Sequence, residues 1–259
     1  MAVAGIQESF VKVAERTLHK LTGLRLSEST VERVTEGAGT RLAAALEAGM
    51  VLGVATPWDW HRDASGQSCA YVSVDATGIL MQGPKASKVD GRMVYVGMIY
   101  NPQPRDAAEE ALSKPCDGAR YLAGLYTLEE LGLQLRRQGA QVGMNQAQQW
   151  IALTDGGNGV EEFMDVNFAQ AAKILDFQHA AGHVALRKNV HRRDYAAYLR
   201  QGWQIASGGV ESACKTVVNQ RLCQGEMRLG EEGSDAVAHQ RALYRSDADQ
   251  WEAFWAMAP

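Results

Sequence analysis

Three carboxylates in the sequence, Asp75, Asp155 and Glu211, stand where side chains could share metal ions. Asp75 lies in the apolar stretch YVSVDATGIL, where a buried charge is costly unless it is paired, bound to a metal or exposed at a strand end. Asp155 begins the turn DGGNG, and Glu211 follows SGGV at the expected start of a helix. Each residue also has an ordinary structural explanation, because turns favour aspartate and the helix dipole favours glutamate in a first turn.

Together the three carboxylates indicate a specific chemistry. If the strands that precede Asp75 and Asp155 are neighbours in a sheet, the two aspartates emerge at adjacent strand ends. A helix packed on the sheet can then bring Glu211 to them. Three carboxylates suit Mg²⁺ or Mn²⁺, which prefer oxygen ligands. Two such ions about 3.5–4 Å apart can activate a water or a 3′-hydroxyl and stabilise the leaving oxygen of a phosphodiester.

The apolar periodicity predicts the elements that must position these side chains. From residue 69 onward, three strand-like runs are followed by a helix, a strand, a helix, a strand and a helix. This order predicts an α/β fold with a mixed central sheet flanked by helices. We expect the catalytic domain to span residues 68–259.

A helical segment is expected before this domain, over residues 1–55. Its first helix stops at Gly23, and a second helix is capped by Ser27 or by Ser29, where Glu32 would complete a capping box. Two helices joined by a short turn can form a helix-turn-helix that reads DNA, although any packed helix pair shares this pattern.

Composition and charge narrow the class of protein. Apolar residues make up 46% of the chain, which is typical of a globular protein. The net charge is −4, whereas a generic nucleic-acid binder is usually basic. The stretch 187–200 is locally basic, and it is either a phosphate-contacting surface or a solvated helix face. The cysteines form no CxxC pair, and no secretory signal or membrane-spanning run is present. We expect a cytoplasmic protein with buried free thiols.

Several blocks of the sequence resemble the ISKra group of insertion-sequence transposases, in the expected order from about residue 17 to the C-terminus. The blocks are SVDATGILM, WIALTDGGNGVEEF, KILDFQHAAGHV, GWQIASGGVESACKTVVNQRL and EEGSDAVAHQRALYRSDADQWEAFW. The VESACKTVV block around Glu211 is the most specific of them. The resemblance implies a DDE enzyme with an RNase H-like catalytic domain, which cleaves and transfers DNA strands at element ends with two Mg²⁺ or Mn²⁺ ions.

The resemblance also assigns residues. Asp75 and Asp155 match the two catalytic aspartates and Glu211 the glutamate, all three of them metal ligands. Asp176 and His179 match a DxxH element found in many related transposases. The expected partners are element-end and target DNA and further copies of the chain, with a nucleoid-associated location. The predicted DNA contacts are Arg187, Lys188, Arg192, Arg193, Lys215 and Arg221.

A second histidine, His183, lies four residues after His179 and could bind a metal with it, but the sequence offers no third ligand in reach. A hydrogen-bonded DxxH brace inside the fold, or a contact near the cleaved strand, is the alternative for His179.

The chain also departs from the family pattern. The usual N-terminal region and the helical insertion between DFQH and SGGVE are missing, Gly182 replaces a more usual acidic residue, and Leu229 replaces an expected tryptophan. We interpret the chain as a truncated copy. The alternatives are a catalytically inactive remnant that at most binds DNA through residues 6–49 and 187–200, an RNase H-like nuclease outside transposition, and a relic that does not fold.

Overall fold

The computed structural model describes residues 1–83, 90–102, 116–157, 159–182, 192–224 and 229–257. Their strands are rich in β-branched and aromatic residues and form one sheet. The strands are β1 (Cys69–Met81), β2 (Asp90–Pro102), β3 (Cys116–Gly124), β4 (Gln149–Thr154) and β5 (Ala172–Leu175).

The sheet is mixed, with the strand order β3-β2-β1-β4-β5. β1, β2 and β3 are antiparallel neighbours, whereas β4 pairs in parallel with β1, and β5 with β4. The fold is therefore α/β with a mixed central sheet, as the sequence predicts, and it is compatible with an RNase H-like core.

Helices cover the sheet and the N-terminal part of the chain. Two of them, α2 and α8, contain a π-helical segment, at Val13–Thr17 and Cys214–Asn219. None of the helices in the described ranges is both long and apolar enough to cross a membrane. The helices are α1 (Ala2–Gln7), α2 (10–22), α3 (Glu28–Glu47), α4 (Leu128–Gln141), α5 (Val160–Asn167), α6 (Phe177–Gly182), α7 (Tyr195–Arg200), α8 (208–222), α9 (Glu231–Arg245) and α10 (Ala248–Ala256).

Local capping explains where several helices begin. The side chain of Ser27 accepts the Thr30 N–H and caps α3, so Ser27 is the cap and the alternative box from Ser29 to Glu32 is not formed. Thr127 and Glu130 form a full capping box at the start of α4. Both helices therefore start at a side chain that satisfies a free backbone N–H group.

The core lies on both faces of the sheet because side chains alternate along β1. Val72 and Val74 pack into a cluster with α3 and α4, which includes Leu42 and Leu135. Ile79 is an odd number of residues from Val72 and Val74, so it points to the other face, where it belongs to a second cluster. This second cluster includes residues of α2 and α8, so the helix with Glu211 lies on that face.

Arg241, which is 2% exposed, ties the N-terminal helices to the rest of the fold. Its guanidinium donates to the Val217 carbonyl at 2.6 Å and also to the carbonyls of Ile6 and Thr216. Burial lowers the pKa of Arg241 to about 10, so the group remains charged at neutral pH. One side chain thus joins α1, α8 and α9.

The predicted order of elements is confirmed over the described residues, with α5 as the helix between β4 and β5. The helix α9, which the strand and helix pattern did not include, packs against α3 and β3. α3 shares its apolar cluster with β1. DNA reading by α2 and α3 remains a prediction.

The close contact between α3 and α9 gives a stability test at Gly39. A Cβ at this position would lie 2.2 Å from the Ala236 carbonyl oxygen, so Gly39→Ala forces the helices apart. We expect a loss of about 1–3 kcal/mol in unfolding free energy, measured by urea denaturation. Gly37→Ala, in the same helix but with open space around a Cβ, is the matched control and should stabilise by about 0.5–1 kcal/mol. Equal effects of the two substitutions would contradict the helix contact.

Candidate active site

The parallel pairing of β1 and β4 places Asp75 and Asp155 at matching positions just beyond their last paired residues. Ser73 is opposite Leu153 in the register, and each aspartate follows two residues later in its own chain segment. The Ser73 hydroxyl also donates to the Leu153 carbonyl at 2.5 Å. Asp155 directly follows the end of β4, but Asp75 lies in the middle of β1, which continues to Met81. The prediction of a strand end is therefore correct for Asp155 and wrong for Asp75. Adjacent strands lie about 4.8 Å apart, and both carboxylates are half-buried.

The helix α8 brings Glu211 to this edge. Glu211 lies in the first turn of α8, and Cys214, one turn later, donates its thiol to the Asp75 carboxylate at 3.5 Å. Burial raises the pKa of Asp75, and the negative charges of Asp155 and Glu211 raise it further. The three predicted carboxylates therefore interact electrostatically.

A second group of side chains overlaps with this triad at Glu211. Ligand atoms of Asp176, His179 and Glu211 all lie within 4.8 Å of one another, which makes them a candidate metal-binding group within the described part of the chain. His179 Nδ1 lies 3.2 Å from Asp176 Oδ1 and 3.5 Å from Glu211 Oε1. Glu211 thus faces the DxxH element predicted from the sequence.

Asp176 is the buried member of this group, with 1% of its side chain exposed. Its carboxylate accepts the backbone N–H groups of Ser207 and His179, the latter at 2.8 Å. Burial opposes the ionisation of Asp176, but these hydrogen bonds outweigh it and lower the pKa. Ser207 in turn donates its hydroxyl to Glu211 at 3.3 Å. Asp176 therefore fastens the start of α6 to the residue that precedes α8.

Ser207 was not among the residues singled out from the sequence, and Cys214 was predicted only as a buried free thiol. That prediction is confirmed for Cys69 and Cys214 and wrong for Cys223, which is exposed. Ser207 stands four residues before Glu211 and Cys214 three residues after it, the spacings that share a helix face. That spacing was the available signal, although it does not identify the partner of each side chain.

Two of the predicted DNA contacts are wrong because the side chains are buried. Arg192 and Arg221 are 1% and 0% exposed, so neither guanidinium is offered to a phosphate at the surface. Arg192 donates to the Thr154 hydroxyl and lies 3.7 Å from Glu161, while Arg221 donates to the Gly5 carbonyl at 3.0 Å. Both guanidinium groups therefore bind partners within the protein.

The other predicted DNA contacts within the described residues are at least partly accessible to solvent. Lys215 is exposed on α8, and Arg193 is half-buried before α7. The predictions for Arg187, Lys188 and His183 lie outside the described residues.

Comparison of the sequence with protein-family models and with curated proteins gives no match. The carboxylates and their surroundings are therefore the observations from which a function can be inferred.

The electrostatic conflict at Asp75 gives a prediction about stability. Its folded-state pKa is raised, so ionised Asp75 destabilises the fold once the pH rises above the ordinary aspartate pKa of about 3.9. Asp75→Asn should raise the melting temperature of the metal-free protein at pH 7, and the gain should vanish as the pH falls towards that value. A melting temperature that drops at pH 7 would contradict the raised pKa.

The buried Asp176 gives a second prediction. Asp176→Ala leaves the N–H groups of Ser207 and His179 without their acceptor, and each such loss costs about 1–3 kcal/mol. Asp176→Asn keeps an acceptor oxygen and should cost less in a urea unfolding experiment. The control is Asp165→Ala, which removes a surface ion pair with Lys173 and should change stability by at most about 1 kcal/mol. Similar losses in Asp165→Ala and Asp176→Ala would argue against the brace.

Proposed function

We propose that this chain is the catalytic core of a DDE-class DNA transposase, which cleaves phosphodiesters at the ends of an insertion sequence and joins them to target DNA. One observation carries the proposal: Asp75 within β1 and Asp155 just after β4 hold matching positions on neighbouring parallel strands, and the helix that begins with Glu211 in its first turn contacts Asp75 through Cys214. The resemblance of the surrounding sequence blocks to ISKra transposases supports it.

The proposed metal ligands differ from the group of described residues whose ligand atoms all lie within 4.8 Å of one another, which is Asp176, His179 and Glu211 and does not include Asp75 or Asp155. Asp75, Asp155 and Glu211 offer oxygen ligands, and the upward pKa shift that Asp155 and Glu211 contribute at Asp75 indicates negative charge that a cation would offset. These three residues would hold Mg²⁺ or Mn²⁺, in our proposal two ions. When bound, the ions supply Lewis-acid activation of a water or a 3′-hydroxyl and stabilise the leaving oxygen.

The DxxH residues have a positioning role in this proposal. Asp176 holds the backbone at Ser207, and His179 and Ser207 both contact Glu211 Oε1. These contacts restrict the orientations of the Glu211 carboxylate, which is 28% exposed. A carboxylate that is oriented in advance loses less freedom when it binds a cation.

DNA is the proposed partner, with further copies of the chain in the active assembly and a cytoplasmic, nucleoid-associated location. Lys215 is exposed one turn after Glu211 on α8, so it can contact a phosphate next to the carboxylates. The half-buried Arg193 is the second proposed contact among the described residues.

Metal binding can be tested without activity. Mg²⁺ or Mn²⁺ at about 100 times its Kd should stabilise the protein by about 2.7 kcal/mol, a rise in melting temperature of roughly 5–10 °C. Glu211→Gln and Asp155→Asn should remove most of this rise. Glu47→Gln, an exposed residue at the end of α3, is the control and should retain it. If the metal-induced rise survives both site substitutions, the ligand assignment is wrong.

Catalysis is tested by metal-dependent nicking and strand transfer on DNA from either side of the gene. Asp75→Asn, Asp155→Asn and Glu211→Gln should each lower the rate at least about 1000-fold, and a double variant should be no slower than a single one because the residues act as a unit. Glu47→Gln should be as active as the parent.

The inactive remnant makes a different prediction. It would show salt-sensitive DNA binding and no cleavage with any divalent metal, and that result would overturn the proposed activity. Cleavage that persists in Asp75→Asn would show that the enzyme uses another site.

A further inference from the structure

The last turn of α2 and the residue after its glycine cap expose two leucines. Leu21 is 78% exposed and Leu24 is 56% exposed. Gly23 between them adopts the left-handed conformation (φ 73°) and donates its N–H to the His19 carbonyl at 2.9 Å, which closes the helix. The Leu24 N–H is held by the Thr22 hydroxyl at 3.2 Å.

This leucine knob, Leu21 and Leu24, is flanked by positive charge. Lys20 and Arg25 are both exposed, one on each side of the knob in the sequence. Single exposed leucines are common on protein surfaces. Here two exposed leucines lie on one capped turn between two cations and form an apolar projection.

A cavity of about 470 Å³ lies between α4 and α5. Its apolar lining includes Leu133 and Val166, which are 42% and 69% exposed. Glu129 and Glu162 also line the cavity, together with Arg136, so the charged residues give a net charge of −1. We refer to this feature as the α4/α5 pocket.

The knob and the pocket lie on opposite faces of the sheet. α2 packs through Leu18 into the cluster that contains Ile79, whereas α5 packs through Phe163 into the cluster that contains Val72 and Val74. Residues 74 and 79 are an odd number of positions apart in a strand whose register with β2 is continuous, so their side chains point to opposite faces of the sheet. One molecule therefore cannot place its own knob in its own pocket.

We propose that the leucine knob of one copy of this chain inserts into the α4/α5 pocket of a second copy. The apolar side chains of Leu21 and Leu24 match the apolar lining, and Lys20 and Arg25 match the excess negative charge at Glu129 and Glu162. The pocket volume lies in the range that accepts small ligands and inserted side chains.

The contact joins two different surfaces, so it is heterologous. Every copy keeps a free knob at one end and a free pocket at the other, and association continues until a ring closes or a filament forms. This inference is independent of the proposed chemistry, because it involves neither the carboxylates nor DNA.

The test uses two variants that are each defective on one surface. The knob variant carries Leu21→Glu and Leu24→Glu, and the pocket variant carries Leu133→Glu and Val166→Glu. All four residues are exposed, so both variants should melt close to the parent. In sedimentation velocity the parent should associate with increasing concentration, whereas each variant should have a dissociation constant raised at least about tenfold.

Mixing the variants gives the decisive result. The knob variant keeps an intact pocket and the pocket variant keeps an intact knob, so an equimolar mixture should form a two-chain complex that neither forms by itself. Val54→Glu, at an apolar residue that is 72% exposed outside both surfaces, should associate like the parent. The proposal fails if the parent stays monomeric at high concentration, if either variant associates like the parent, or if the mixture contains only monomers.

The charged residues give an independent measurement. Glu129→Lys with Glu162→Lys should weaken association, and adding Lys20→Glu and Arg25→Glu to the same chain should restore it, because both surfaces of every copy then carry reversed charges. Association of the parent should weaken as salt is raised. An association that is insensitive to these substitutions would place the interface elsewhere.

Discussion

The parallel pairing of β1 with β4 is the constraint on which the candidate site depends. Asp75 and Asp155 are far apart in the sequence, and this pairing makes them neighbours. The bond from the Ser73 hydroxyl to the Leu153 carbonyl adds a side-chain link to the backbone ladder. A slip of one residue in β1 would turn Asp75 to the opposite face, away from Cys214 and Glu211. The apolar clusters on both faces oppose such a slip because it would also invert Val72 and Val74.

The negative charges at the site lower the stability of the folded state. Asp75 is half-buried beside two other carboxylates and its pKa is raised, whereas the more deeply buried Asp176 has a lowered pKa. The difference lies in their partners. Asp176 accepts two backbone N–H groups and is stabilised as an anion, while Asp75 accepts one from Ala76 and faces Asp155 and Glu211. Ionised Asp176 therefore stabilises the structure, whereas ionised Asp75 destabilises it.

The sequence was sufficient to predict the strands and that the strands of the two aspartates are neighbours, because alternation and turn residues are local signals. It placed Asp75 at a strand end, whereas β1 continues to Met81. The partners of the charged side chains were not predictable in this way. Arg192 and Arg221 lie in or near stretches that are basic in sequence, yet both are buried and donate hydrogen bonds to hydroxyl and carbonyl oxygens that are distant in sequence. Similarly, the choice of Ser27 over Ser29 as the cap of α3 depends on where the backbone first becomes helical, which residue types do not specify.

Burial of these arginines reduces the positive charge that this acidic chain can offer to DNA at its surface. The net charge is −4, and the cations of Arg192, Arg221 and Arg241 are directed at backbone or buried groups. A long-range attraction to phosphate is therefore weak for one copy, and binding would depend on local contacts such as Lys215. In our proposals, bound cations offset the carboxylates at the site, and association of copies multiplies the few phosphate contacts that each one offers. Metal binding and self-association would then each strengthen DNA binding by this chain.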